Sequence, residues 1–225
     1  MTLRATRAKA QTKTYDARFF ERDPRFSAIE PAAKIFADYT DWPTPADLDR
    51  ELAARAGIRF VLATPRPRRQ RGPVDVRDMY DARIARGEVP TRERNWHDLL
   101  NAFVWATFPK SKAVLHARQH KAIREWAGAD VVRKLPNART RELDALALID
   151  EGGVIVCVDR QRRSPSATDV KIIFGHALYE GFVLGVRSMI ARAVPVSGPA
   201  RDVDTLLASR LEDVRSPEEL PREPV

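Results

Sequence analysis

The sequence predicts an α+β fold, mainly helical, in a single domain with a few short strands. Three observations carry this. Several stretches place apolar residues at helical spacing between an N-cap and a glycine stop. Only short apolar runs, at 58–62, at 145–149 with 154–158 as the arms of a hairpin, and at 170–174, read as strands. The 225 residues, 44% hydrophobic and 31% charged, suit one core that needs no disulfide or metal to close it.

Residues 1–14 carry Arg4, Arg7, Lys9 and Lys13 with no periodic apolar face, which predicts a disordered basic arm. They lack the apolar run of a secretory signal. Order is expected from Phe19, Phe20 and Phe26, with a helix through Ile29, Ala32, Ala33 and Phe36. Thr44, Pro45 and Asp47 spell a helix start, Leu48, Leu52 and Ala56 its buried stripe, and Gly57 a left-handed cap. A strand over 58–62 follows. Prolines 65, 67 and 73 then forbid regular structure, so Arg66, Arg68, Arg69 and Arg71 belong on an exposed loop.

A helix over 76–86 turns Met79, Tyr80 and Ile84 inward and stops at Gly87. Residues 95–107 follow, with Asn95 as N-cap and Asp98 at N3 to reach back toward it. This helix is apolar on nearly every face, which places it in the middle of the core. The next runs over 111–127 to Gly128, packing Val114, Leu115, Ile123 and Trp126. Residues 143–159 read two ways. Asp150-Glu151-Gly152-Gly153 can turn a hairpin, the favoured reading, or close a helix begun at Thr140. A strand over 170–174 leads through Gly175-His176 into a helix with Leu178, Phe182 and Val186. Asp202 caps a last helix carrying Leu206, Leu207 and Leu211. The globular part thus spans 15–214, and 215–225 reads as a proline- and acid-rich solvated tail.

Composition excludes several classes. One cysteine, Cys157, rules out an intramolecular disulfide and any zinc site of paired thiolates; its apolar run predicts a packed thiol. No run of about 18 apolar residues exists to span a membrane, so a cytoplasmic protein with no membrane partner is expected. The net charge of +8 rests on 31 Arg and only 8 Lys, a bias that a GC-rich genome produces by itself. There is no Gly-rich phosphate loop, GxSxG, HExxH or dinucleotide fingerprint.

Several irregular motifs occur in order. They are Gly87-Glu88-Val89-Pro90-Thr91-Arg92, Asn95-Trp96-His97-Asp98-Leu99-Leu100-Asn101-Ala102 with Trp105, and Phe108-Pro109-Lys110 with Lys112. Asp144-Ala145-Leu146, Asp150-Glu151 with Gly153, and Phe174-Gly175-His176-Ala177-Leu178 with Glu180 complete the set. Over roughly 15–210 the chain resembles the bacterial domain of unknown function 3025. It departs at His116, where that family more often carries Asn. The resemblance implies a bacterial cytoplasmic single-domain protein and no particular activity.

Two polar pairs stand at helical i, i+4 spacing and so share a face: His97 with Asn101, and His176 with Glu180. If their helices face one another, these four converge as a catalytic set, with Asp144, Asp150 or Glu151 closing the site. Such a cluster could bind Zn²⁺ or Mn²⁺ or support hydrolysis with a carboxylate base; neither metal nor cofactor identity is readable. The bland reading is a satisfied core network. A third pair, His116 and His120, sits among Lys110, Lys112, Arg118, Lys121 and Arg124, and reads as a solvated basic face.

With Arg66, Arg68, Arg69 and Arg71 that face is the candidate surface for an anionic ligand or nucleic acid. No base-reading motif accompanies it. Three functions follow: a non-enzymatic binding or interaction domain as the leading reading, then an anion or nucleic-acid binder, then a hydrolase-like enzyme, possibly metal-assisted. The distance between His97 and His176 separates them.

Overall fold

Two junctions, one from helix into strand and one from strand into helix, meet back to back near the middle of the molecule. The rest of the fold holds them there. The computed structural model describes residues 14–64, 74–128, 132–133, 140–158 and 169–225. Arg66, Arg68, Arg69 and Arg71, and nearly all of the basic arm, lie outside the described residues.

The chain begins with short 3-10 turns around Phe19, Phe20 and Phe26, then α1 (Glu30–Ala33). The expected helix through Phe36 is broken here into α1 and one further 3-10 turn. Helix α2 (Pro45–Ala56) has the predicted ends: Thr44 and Asp47 form a reciprocal capping box, and Gly57 is left-handed at φ 67°. Strand β1 (Arg59–Leu62) follows. Next come β2 (Val74–Asp75), a 3-10 turn, α3 (Tyr80–Ile84) and β3 (Glu88–Thr91). β1 and β3 pair in parallel.

Helix α4 (Trp96–Thr107) is buried from Leu99 through Ala106, as its all-round apolarity requires. Asn95 caps it by accepting from the Asp98 N–H. Asp98 does not reach back to the cap; its carboxylate takes both the backbone N–H and the guanidinium of Arg92. A bidentate guanidinium outcompetes one amide for a carboxylate. α4 packs on α2 and, across the core, on the helix that follows β6.

Helix α5 (Pro109–Ala127) runs to Gly128, and β4 (Val132–Arg133) pairs with β2. Helix α6 (Arg141–Gly152), capped by Thr140, passes directly into β5 (Gly153–Val158). The favoured hairpin over 143–159 is therefore wrong. The physical reason lies in the buried set Ala145, Leu146, Ile149 and Asp150, which is one helix face rather than one strand face.

Strand β6 (Val170–Ile173) lies antiparallel to β5 and leads into α7 (His176–Val183). Strand β7 (Ile190–Ser197) is parallel to β5, and α8 (Val203–Leu211) packs with α6 on this sheet. Asp202 stands before α8 without a side-chain cap bond. The C-terminal residues do not form a solvated tail: Leu220 is buried and β8 (Arg222–Pro224) closes the sheet, in order β6-β5-β7-β8. Pro224 is tolerated there because β8 is an edge strand.

The predicted class, α+β and mainly helical with few strands, is what the element order shows. Among the described residues no helix is long and apolar enough to cross a membrane.

Candidate metal centre

The close contact of the two junctions begins with glycine. A Cβ built on Gly175 would fall 2.5 Å from the Glu151 carbonyl oxygen and 2.6 Å from the Gly152 Cα. Only a residue without one lets the start of α7 press against the end of α6. Two main-chain bonds lock the contact, from the Phe174 and Gly175 N–H groups to the Gly153 carbonyl, at 3.0 and 2.9 Å. His176, the first residue of α7, is thereby delivered beside Asp150 and Glu151 in the last turn of α6.

From α4, His97 comes to the same place. Its Nε2 lies 3.0 Å from His176 Nε2, with ring centroids 4.4 Å apart. Glu151 Oε2 is 3.9 Å from His97 Nε2 and 3.6 Å from His176 Nε2. One ligand atom from each of the three lies within 4.8 Å of the others. Glu180, one turn after His176, binds His97 Nδ1 at 2.9 Å. A carboxylate only accepts, so His97 Nδ1 carries the hydrogen and its Nε2 faces the centre.

Electrostatics follow from burial and partners. The Glu180 hydrogen bond, opposed by burial, raises the His97 pKa above the usual imidazole range. Burial drives His176 the other way, to about 3, so this ring is neutral near pH 7. Burial also raises the Glu151 carboxyl, against the pull of His97. Glu151 keeps half its side-chain surface in water, and His97 and Glu180 about a quarter. The centre therefore opens to solvent on the Glu151 side.

Asn101 does not join His97 at the centre. It is buried one turn deeper, accepting from Lys112 Nζ at 2.8 Å and donating to the Tyr80 hydroxyl at 2.9 Å. Of the three carboxylates considered, Glu151 enters the centre and Asp150 stands directly behind it. Asp144 has no bond to either histidine among those described.

The predicted basic face on 110–124 is corrected by the same core. Lys112 is 0% exposed and pairs with Asp150 at 2.5 Å, because an ammonium in the interior needs a counter-charge. Arg118 is internal too, held by the carbonyls of Leu211 and Val214 and the Glu142 carboxylate. His116 is buried against Trp105, its Nδ1 2.8 Å from Asp81, while His120 is only half-buried. Lys121 and Arg124 do face solvent, and Lys110 Nζ is 2.9 Å from Thr205 Oγ1. A cleft of about 940 Å³ is lined by Lys110, His120, Lys121 and Arg124 and contains none of the centre's residues. The converging donors of His97, Glu151 and His176 therefore lie apart from that cleft.

Comparison with known proteins gives a class without an activity. Residues 68–168 match the family described as protein of unknown function (DUF3025), which the chain resembles over that stretch. The match holds His97, Asn101, Lys112, Asp150 and Glu151; His176 and Glu180 lie beyond it. No curated protein and no solved structure matches the chain.

Proposed function

We propose that His97, Glu151 and His176 hold one divalent transition-metal ion, Zn²⁺ or Mn²⁺, and that the protein is a metal-assisted hydrolase. The observation that carries this reading is the pair of Nε2 atoms 3.0 Å apart with the Glu151 carboxylate beside both. Two ligands at about 2.0–2.1 Å from a tetrahedral zinc stand roughly 3.3 Å apart, close to this spacing. Two bare imidazole lone pairs would repel at that distance, so either a cation or a proton belongs between them.

The donor set fits. Two neutral imidazoles and one carboxylate suit a borderline ion and leave a coordination position for water. Held there, such an ion would supply Lewis-acid activation of water near neutral pH. This chain's residues do the rest. Glu180 orients His97 through Nδ1, as acids commonly do behind ligating histidines. The exposed edge of Glu151 gives a substrate a way in.

A panel of activated esters and phosphate esters, such as p-nitrophenyl acetate and bis-p-nitrophenyl phosphate, tests the activity. Turnover that chelator abolishes, Zn²⁺ or Mn²⁺ restores and Glu151→Gln removes supports the reading. Turnover untouched by chelator would instead assign the centre to a metal-free acid–base pair, with a His97 imidazolium between Glu180 and His176.

An anionic partner is a separate proposal, favoured by the cleft along α5. With Lys112 and Arg118 internal it would rest on Lys110, Lys121 and Arg124. Affinity for polyphosphate that falls steeply with salt and with Arg124→Ala supports it. A bacterial, cytoplasmic setting is the reading that the family resemblance supports.

A further inference from the structure

Behind the centre lies a buried polar network that the proposed chemistry does not use. We propose that Asp150, held in place by Lys112, is the positioning residue for His176: its carboxylate keeps the hydrogen on Nδ1 and so presents Nε2 to the metal. The inference rests on the metal-centre reading above.

Lys112 is fully buried and spends its N–H groups on Asp150 Oδ1 at 2.5 Å and Asn101 Oδ1 at 2.8 Å. Asn101 is fixed in turn by the Tyr80 hydroxyl. The Asp150 carboxylate therefore cannot swing. It presents Oδ1 to His176 Nδ1 and Oδ2 to His116 Nε2, both at 3.9 Å. His116 Nε2 is buried without a hydrogen-bond partner, and the groups beside His176 Nδ1 are the carboxylate and the main chain of Asp150. Two buried imidazole nitrogens thus stand within 4 Å of one anchored carboxylate.

Stability does not account for this arrangement. Replacing a buried ion pair with apolar residues of similar size is often neutral or stabilising, so the fold alone has no need of one here. Placement does account for it. The last turn of α6 supplies both a ligand, Glu151, and the acid behind the other ligand, Asp150. Each ligating imidazole then has its own carboxylate on the Nδ1 side: Glu180 for His97 by direct bond, Asp150 for His176 across 3.9 Å. A negative charge on that side favours the Nδ1–H tautomer and strengthens Nε2 as a donor. Lys112 offsets a charge that would otherwise stand unpaired in the interior.

The test is a Co²⁺ titration of the full chain against a competing chelator, reading affinity and the visible absorption of the bound ion, with metal-free melting as a check on folding. Asp150→Asn keeps the shape and still accepts from Lys112. It should melt cooperatively, bind one Co²⁺ about 10–100-fold more weakly than the parent, and shift the absorption bands. The double variant Lys112→Met with Asp150→Asn supplies the same readout should the single variant not fold. A parent that binds Co²⁺ and variants that bind it equally well, with unchanged spectra, would overturn the positioning role and leave the centre standing. A parent that binds no Co²⁺ would remove the centre and this inference with it.

Discussion

His97 Nε2 and His176 Nε2 are 3.0 Å apart although 79 positions separate the residues in the chain. The contact is the product of two unrelated local devices: a helix buried on nearly all sides, and a glycine at which two backbone junctions touch.

Gly175 should therefore be intolerant. In Gly175→Ala the new methyl meets the Glu151 carbonyl and Gly152, which are backbone and cannot move aside cheaply. Overpacking of this kind costs about 1–3 kcal/mol. Thermal melting should show that loss, and Co²⁺ affinity should fall with it as His176 is pushed from Glu151. Gly152→Ala is the control: its Cβ meets nothing within 4 Å, and its melting temperature should not fall.

Glu180→Gln tests the tautomer of His97. The amide oxygen can still accept from Nδ1, but the charge is gone. The His97 pKa, followed by NMR in the metal-free protein, should drop toward the ordinary imidazole value. Zinc affinity should weaken by about tenfold or more. An unmoved pKa would detach Glu180 from the centre.

Acid should destabilise the metal-free fold in a window that His176 defines. Its folded pKa is about 3 against an unfolded value of about 6.5, so the unfolded chain takes up the proton first. The stability it confers is complete above about pH 6.5 and is lost progressively as pH falls toward 3, by up to a few kcal/mol. His97 has the opposite sign. Its raised pKa adds stability that is complete below about 6.5 and lost as pH rises through the folded value. Melting in chelator between pH 6.5 and 4 should fall steadily, and His176→Gln should flatten that slope.

Arg118 and Arg124 should separate stability from binding. Arg118→Ala leaves the buried Leu211 carbonyl and Glu142 without this donor and the Val214 carbonyl with Arg215 alone, a loss of about 2–4 kcal/mol by denaturant melt. Arg124→Ala, on an exposed position, should change stability by less than about 0.5 kcal/mol. Any anion affinity should respond to Arg124 rather than Arg118.

What was readable beforehand depended on range. Caps and periods are local, so the Thr44–Asp47 box, the Gly57 stop, the Asn95 cap and the core position of α4 all follow from neighbouring residues. The two i, i+4 pairs were visible for the same reason. Their convergence was not, because it depends on how α4 meets α7 across the core. Lys112 reads as a surface cation from its neighbours alone, since its partners, Asp150 and Asn101, stand 38 and 11 positions away. Over 143–159 the diglycine resembled a hairpin turn, yet helix passes into strand there without a loop. The spacing of Ala145, Leu146 and Ile149 was the local signal for helix, and the apolar run after it masked the change of period.

Every test of this site depends on His97, Glu151 and His176 binding one metal ion. The most direct measurement is equilibrium dialysis of the chelator-stripped chain against Zn²⁺, with the bound metal counted per chain. A metal centre at these residues predicts one equivalent for the parent and none above background for His97→Ala with His176→Ala, both proteins folded by circular dichroism. A parent that stays metal-free, or a double variant that keeps its equivalent, would contradict it.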